Sequence, residues 1–211
     1  NHSIKGLINL IGGRRGSSTD PDPYFQYTIT KSDGNSVVKK LDGTYFVMPF
    51  MKNGTIGELI PHYLQSEGTF NEKMNPTIRS KIIFGVASTL KRLQNINFRS
   101  INLSLTKVLL DDNLEPVLQF PFLNSDTKSM SITNFEFTSP EMCCDDFDWE
   151  TGGYQSSVFS FGTMIYLMFS KNFIFDGKEP KNQFQLSTMF MRGLRPMRQK
   201  NIPEPYWELI E

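Results

Sequence analysis

Between Asn75 and Phe122 the chain carries a helical pattern followed by a hairpin pattern, and the remaining segments have to be arranged around this pair. Asn75 before Pro76 is a strong helix start, because Asn caps the first turn and proline is tolerated at the first helical position. Apolar residues then recur at helical spacing: Ile78, Ile82, Val86, Leu90 and Leu93. The spacing predicts a helix over 75–94 whose apolar stripe packs into a core.

The hairpin pattern begins with the apolar run Val108-Leu109-Leu110. Asp111-Asp112-Asn113 follows, and then Val117-Leu118 alternates toward Phe120. Short polar side chains such as Asp and Asn bond their own backbone and tolerate left-handed angles, which is turn chemistry. The pattern therefore predicts two short antiparallel strands joined by a tight turn.

A long helix followed by such a hairpin resembles the catalytic loop and metal-binding hairpin of the eukaryotic protein kinase family. Members carry H-R-D-x-x-x-x-N just before the hairpin and D-F-G after it. In register with the apolar run, the two motifs fall on the following residues: Ser100, Ile101 and Asn102, with Lys107 at the final Asn position, and then Gln119, Phe120 and Pro121. A register shifted by two residues, with Arg99 as the motif's Arg, puts Ser100 at the catalytic Asp and Leu105 at the metal-ligand Asn, and so does not restore the first motif.

Further segments resemble family landmarks in the same order. They are His2–Gly12 (the run after helix C), Met48–Ile56 (the hinge), Phe137–Met142 (the A-P-E motif), Gln155–Gly162 (the start of helix F), Met191–Pro196 and Ile202–Ile210. The resemblance implies an α+β, bilobal protein-kinase-like fold of the tyrosine-kinase-like type. Residues 1–48 would be the remainder of a small antiparallel-sheet lobe, 49–56 the hinge, and 57–211 a mainly helical, truncated large lobe reaching helix H.

In the part expected to be the small lobe, alternation predicts strands at Tyr24–Thr30, near Val37-Val38 and at Thr44–Met48, which together form one small antiparallel sheet. Residues Gly13–Pro23 are rich in Gly, Ser and Pro without periodicity, and we expect a loop there.

The hinge resemblance implies a way to bind adenine. Met48 falls at the gatekeeper position, and the Pro49 carbonyl and the Met51 N–H, on either side of Phe50, would bond the adenine edge. Proline removes only its own N–H, so Pro49 does not forbid this. The alternative is that 48–51 is a plain linker between lobes.

The resemblance also implies that the catalytic residues are lost. Asn102 has no carboxylate to accept a proton, Gln119 offers a neutral carbonyl, and Lys107 places an ammonium where a metal ligand belongs. We expect no metal site, and ATP without Mg²⁺ is the one ligand left open. Lys107 would then neutralise phosphate charge; alternatively it is a surface lysine or pairs with Asp111 or Asp112.

The amino-acid composition limits the kinds of binding partner and cellular location that we expect. Lys plus Arg and Asp plus Glu both number 22, which gives no electrostatic case for nucleic acid or an anionic membrane. No apolar run reaches the ~18 residues of a spanning helix. Cys143 and Cys144 are adjacent, a placement that disfavours a mutual disulfide and is typical of reduced thiols, so we expect a cytoplasmic location.

Two charged clusters are expected to be solvated. The acidic one comprises Asp145, Asp146, Asp148 and Glu150, for which a hard-metal site is the alternative. The basic one comprises Arg192, Arg195, Arg198 and Lys200.

These features together predict a pseudokinase: a catalytically inactive kinase-like domain that acts as an interaction or allosteric signalling module with a protein partner. An active atypical Ser/Thr protein kinase is the first alternative, and a decayed gene fragment is the second. The chain starts at Asn1 without Met, so we expect a fragment whose glycine-rich loop, strand-3 Lys and helix C Glu would lie upstream.

Overall fold

The computed structural model describes residues 12–14, 24–30, 36–42, 45–47, 49–60, 74–98, 103–119, 136–143, 146, 149–170 and 182–211. The chain divides into two compact units: one is Ile8–Phe50, and the other consists chiefly of Met51–Glu211. The boundary lies within the range 49–56 that the sequence suggested as a hinge. The chain is an α+β protein with small antiparallel sheets.

The unit Ile8–Phe50 contains four described strands: β1 (Gly12–Arg14), β2 (Tyr24–Thr30), β3 (Ser36–Asp42) and β4 (Tyr45–Val47). β2 and β3 pair antiparallel from Tyr24 opposite Asp42 to Thr30 opposite Ser36. β1 and β4 pair antiparallel, with Gly12 opposite Val47. The predicted bounds of β2 are confirmed, and β4 is one residue shorter at each end than predicted. β3 is longer than the short strand predicted near Val37-Val38.

Two expectations for this unit were wrong. The described strands form two separate two-stranded sheets rather than one. Gly13 and Arg14, expected in a loop, belong to β1. Glycine carries no side chain, so no alternation of side chains could mark this strand; its backbone pairing with Tyr45–Val47 defines it instead.

In the second unit, the predicted long helix is α2 (Pro76–Asn95), which follows the short helix α1 (Ile56–Leu59). The Asn75 side chain accepts a 2.9 Å hydrogen bond from the Ile78 N–H, as an N-cap should. The helix ends where Asn97 adopts a left-handed conformation (φ 57°) and the Phe98 N–H bonds the Leu93 carbonyl. The predicted stripe is confirmed: Ile82, Val86, Leu90 and Leu93 are buried, and Ile78 is partly buried.

The predicted hairpin is also confirmed, as β5 (Val108–Leu110) and β6 (Pro116–Leu118). One carboxylate oxygen of Asp111 accepts hydrogen bonds of 2.8 Å from the N–H groups of both Asn113 and Glu115. This is the local side-chain-to-backbone bonding that the turn sequence predicts. Lys81 of α2 bonds the Asn113 carbonyl (2.7 Å) and pairs with Glu115 (3.0 Å), so the turn is fastened to the helix.

Among the described residues, this unit has three further α-helices: α3 (Trp149–Phe169), α4 (Gln183–Met191) and α5 (Glu204–Ile210). α3 begins six residues before the predicted start at Gln155, so Glu150 of the acidic cluster lies in a helix rather than a polar loop. Its C-terminal half, Met164–Phe169, is buried, and Gly162 approaches the backbone of α5.

Arg79 joins α2 to the ends of α3 and α5. Its guanidinium lies 4.6 Å from the centre of the Phe169 ring, and that ring packs 4.8 Å from the ring of Tyr206. Burial lowers the pKa of Arg79, and Tyr206 acts in the opposite direction. Because the ordinary pKa of arginine is so high, the guanidinium stays charged at neutral pH and can interact with the ring as a cation.

Gly85 of α2 packs tightly against Pro116 of β6: a Cβ atom at Gly85 would lie 2.4 Å from Cγ of Pro116. Gly to Ala inside a helix normally gains about 1 kcal/mol. Overpacking against a rigid proline ring costs about 1–3 kcal/mol. We expect Gly85→Ala to lower the free energy of unfolding, by about 1 kcal/mol net, measured by urea denaturation.

Gly162 in α3 is the matched control, because a Cβ atom there would meet its nearest neighbour, the Ile210 carbonyl oxygen, at an ordinary 3.5 Å. Gly162→Ala should leave the denaturation midpoint unchanged or raise it. A higher midpoint for Gly85→Ala would contradict the close packing of α2 on β6.

Candidate functional site

The residues at the two family metal-ligand positions lie opposite each other at the open end of the hairpin. The Gln119 N–H donates a 2.8 Å hydrogen bond to the Lys107 carbonyl, one step beyond the paired residues Val108 and Leu118. Directly opposed residues of an antiparallel pair carry their side chains on the same face, with Cβ atoms about 4.5–5.5 Å apart. The structure therefore brings Lys107 and Gln119 together.

The face that carries them is the less buried one. Val108, Leu110 and Leu118 point into the core, and side chains alternate along a strand. Lys107 and Gln119, one residue outside the ladder, are each half-buried. This face thus offers an ammonium and a neutral amide side by side.

Among the described residues, no ion pair joins Lys107 to either aspartate of the turn. Asp112 pairs instead with Lys52 at 3.4 Å, and Asp111 is engaged with backbone N–H groups. The expected alternative, a salt bridge from Lys107 to Asp111 or Asp112, is wrong. The reason is local: the Asp111 side chain turns back to bond its own turn.

A buried turn of chain holds Lys107 in place. Leu103, Ser104 and Leu105 are almost fully buried, and the Lys107 N–H bonds the Ser104 carbonyl at 3.0 Å. The buried side chains of Leu103 and Leu105 therefore fix the position of the backbone at Lys107.

The segment 53–57 runs alongside β5 and braces it. The Leu110 N–H bonds the Gly54 carbonyl (2.9 Å), the Gly57 N–H bonds the Leu105 carbonyl (3.1 Å), and the Asn53 side chain bonds the Asp111 carbonyl (2.6 Å). Thr55 and Glu58 close a capping box at the start of α1. No sequence pattern marks this bracing, because it depends on backbone groups far apart along the chain.

Three of the four proposed hinge residues are described. The Phe50 side chain is 87% exposed, Met51 is half-buried, and the Met51 carbonyl accepts a 3.1 Å hydrogen bond from the Gly54 N–H. Pro49 is exposed. Met48 lies outside the described residues, as do Asn102, Phe120 and Pro121. The proposed adenine contacts of this segment stay a prediction.

The segment that resembles A-P-E is held by a row of hydroxyl groups on α3. Ser160 donates to the Phe137 carbonyl (2.7 Å) and Thr163 to the Glu136 carbonyl (3.1 Å). Ser139 donates to Ser156 (2.9 Å). Ser156 in turn donates to the Glu141 carboxylate at 3.2 Å.

The buried surface of α3 therefore carries hydroxyl groups beside its apolar side chains. Hydroxyl residues at positions 156, 160 and 163 have the 4- and 3-residue spacing of one helix face, and this spacing was the signal that could have found the row. Ser157, next to Ser156 on the same helix, is buried and donates to the Gly153 carbonyl (2.9 Å).

Within the described residues, no three His, Cys, Asp or Glu side chains converge as a metal site requires. Of the acidic cluster, Asp146 is exposed, whereas Asp145 and Asp148 lie outside the described part of the chain. No described helix is long and apolar enough to cross a membrane.

The pair Lys107 and Gln119 does not fit Mg²⁺. The ion prefers hard, anionic oxygen ligands in near-octahedral geometry, and this pair supplies one neutral carbonyl beside a positive charge. The same ammonium is suited to a phosphate oxygen.

No protein-family model matches the chain, and no curated protein matches it significantly.

Proposed function

We propose that this chain is a catalytically inactive protein kinase-like domain that acts as an interaction or allosteric signalling module. The observation that carries the proposal is Lys107 opposite Gln119, joined by a 2.8 Å backbone hydrogen bond at the open end of the hairpin. In the family these positions supply the two metal ligands of phosphoryl transfer. We also propose a cytoplasmic location, on the basis of the adjacent cysteines Cys143 and Cys144.

Electrostatics argues against metal-dependent catalysis at this pair. Two unit positive charges about 4 Å apart repel by roughly 4 kcal/mol at an effective dielectric near 20, and a divalent ion doubles that energy. Phosphoryl transfer depends on positioning and on neutralising charge with the metal, so such a penalty removes its main source of stabilisation.

Lys107 is nevertheless compatible with one ligand, ATP without Mg²⁺. An ATP molecule bound without Mg²⁺ retains its phosphate charge, which Lys107 could neutralise. Nucleotide would then act as an allosteric ligand rather than as a substrate.

Thermal unfolding with ATP, in Mg²⁺ and separately in EDTA, tests the proposal. A ligand at a hundred times its Kd stabilises a protein by about 2.7 kcal/mol, which is a readily measured shift. We expect no shift that requires Mg²⁺. Any shift in EDTA should disappear in Lys107→Ala and persist in Lys91→Ala, an exposed lysine on α2.

A melting shift that requires Mg²⁺ would overturn the proposal and favour the active atypical kinase. Incorporation of phosphate from labelled ATP into a protein substrate would do the same. Equal shifts with ATP in Lys107→Ala and in the unchanged protein would remove the role of Lys107 in binding nucleotide.

A further inference from the structure

Helix α4 is anchored by its inner face. Phe190 is 4% exposed and packs edge-to-face against Phe159 of α3, with ring centres 5.3 Å apart. Met189 is partly buried against the same core. At the beginning of the helix, the Asn182 side chain accepts a 2.8 Å hydrogen bond from the Gln185 N–H. The orientation of α4 is therefore fixed by packing and capping together.

The outer face of α4 carries two large apolar side chains. Phe184 is 82% exposed and Met191 is 73% exposed. These two residues are seven apart, which places them on the same face of a helix, and a helical wheel puts that face opposite Met189 and Phe190. A surface helix normally places polar residues on the face away from the core.

The apolar surface continues into the segment that follows the helix. Leu194 is 39% exposed and Met197 is 72% exposed. The Leu194 N–H bonds the Met189 carbonyl at 2.9 Å, which folds this segment back onto the end of α4. We call Phe184, Met191, Leu194 and Met197 the α4 patch. Large exposed apolar residues grouped in this way mark interaction sites more often than isolated ones do.

The charged residues within the segment that carries the patch all have one sign. From Asn182 to Lys200 the chain has four basic residues and no Asp or Glu. Two of the four are engaged: Arg195 lies over the Phe190 ring at 5.3 Å, and Arg198 pairs with Glu204. Arg192 and Lys200 are exposed; Arg192 follows Met191 in the chain, and Lys200 lies three residues after Met197.

We infer that the α4 patch is a docking surface for an acidic peptide segment of a partner protein. That segment would place two or more large apolar anchors on Phe184, Met191 and Met197, flanked by Asp or Glu residues that face Arg192 and Lys200. Methionine suits such a surface, because its flexible, polarizable side chain adapts to different apolar partners. The inference rests on the proposed interaction function and names the surface that would serve it.

Selection from a random peptide library displayed on phage, with the protein as bait, tests this inference. We expect the enriched peptides to be acidic and to contain Phe, Leu or Trp anchors. Their affinity should fall about tenfold or more in Phe184→Ser with Met191→Ser, because apolar anchors dominate such interfaces. It should also fall with added salt and in Arg192→Glu with Lys200→Glu.

Matched control variants show whether a loss of peptide affinity comes from the α4 patch or from the removal of any exposed aromatic or basic residue. Phe84 on α2 is 75% exposed, so Phe84→Ser removes an equally exposed aromatic residue from a different helix and should leave peptide affinity unchanged. Lys91→Glu is the corresponding charge control. All of these residues are exposed, so unchanged melting temperatures would show that the variants fold.

Three outcomes would overturn the inference. They are enrichment of neutral or basic peptides, no enrichment at all, and equal binding to the variant that lacks Phe184 and Met191. Self-association of the protein that this variant abolishes would assign the patch to a second copy instead. None of these outcomes bears on the nucleotide test, which measures a different part of the chain, so the two proposals fail separately.

Discussion

Ile82→Ala is expected to lower the free energy of unfolding by about 2–5 kcal/mol, the range for a large-to-small change at a buried aliphatic residue. Ile82 is fully buried on the stripe by which α2 packs into the core. The loss combines the transfer free energy of the removed atoms with the cost of the cavity. Urea denaturation with a fixed m-value measures it.

Phe84, two residues along the same helix, is the control, because it is 75% exposed. Phe84→Ala removes more atoms than Ile82→Ala but creates no cavity, and it adds helix propensity. Its effect should stay within about 0.5 kcal/mol. If Phe84→Ala proved more destabilising than Ile82→Ala, then the face of α2 that carries Ile82 would not be the face packed into the core.

The proposed function predicts a second large effect, from placing the metal ligands of the kinase family at the two hairpin positions. Lys107→Asn combined with Gln119→Asp removes the ammonium and adds a carboxylate at two opposed positions. The double variant should acquire an ATP-induced melting shift that requires Mg²⁺, up to about 2.7 kcal/mol of stabilisation at a hundred times the Kd. On the proposed kinase-like fold, phosphoryl transfer should still be slow, because Asn102 would stand at the position of the general base.

Lys107→Asn with Gln119→Asn is the matched control. It relieves the same repulsion but supplies no anionic oxygen, so its Mg²⁺-dependent shift should be much smaller. Equal shifts in the two double variants, or a shift that persists in EDTA, would show that position 119 does not bind the metal.

The elements that sequence analysis predicted best are those with local causes. The cap at Asn75 and the turn at Asp111 depend on bonds between a side chain and backbone groups a few residues away. The apolar stripe of α2 has a fixed period. β1 was missed because its definition lies in pairing with Tyr45–Val47, about thirty residues away, and such pairing leaves no mark on a Gly-rich sequence.

In the candidate site, too, features with local causes could be predicted from the sequence, and features that depend on distant contacts could not. The opposition of Lys107 and Gln119 follows from the register of a hairpin whose turn was recognised, so it could be expected from sequence. The engagement of Asp112 by Lys52 could not, because these residues are sixty positions apart and their contact depends on how 53–57 docks against β5. The hydroxyl row on α3 was concealed by the strong overall hydrophobicity of that helix.

The docking of 53–57 on the hairpin also bears on how this part of the molecule loosens. Gly54 and Gly57 each share a backbone hydrogen bond with the chain between Leu105 and Leu110, and the Asn53 side chain adds a third link. The hairpin cannot fray from its turn without releasing the segment beside it, and the segment cannot lift away without exposing β5. The hairpin and the segment 53–57 are therefore expected to open together as one cooperative unit. Lys107 belongs to this unit rather than to an independently flexible loop.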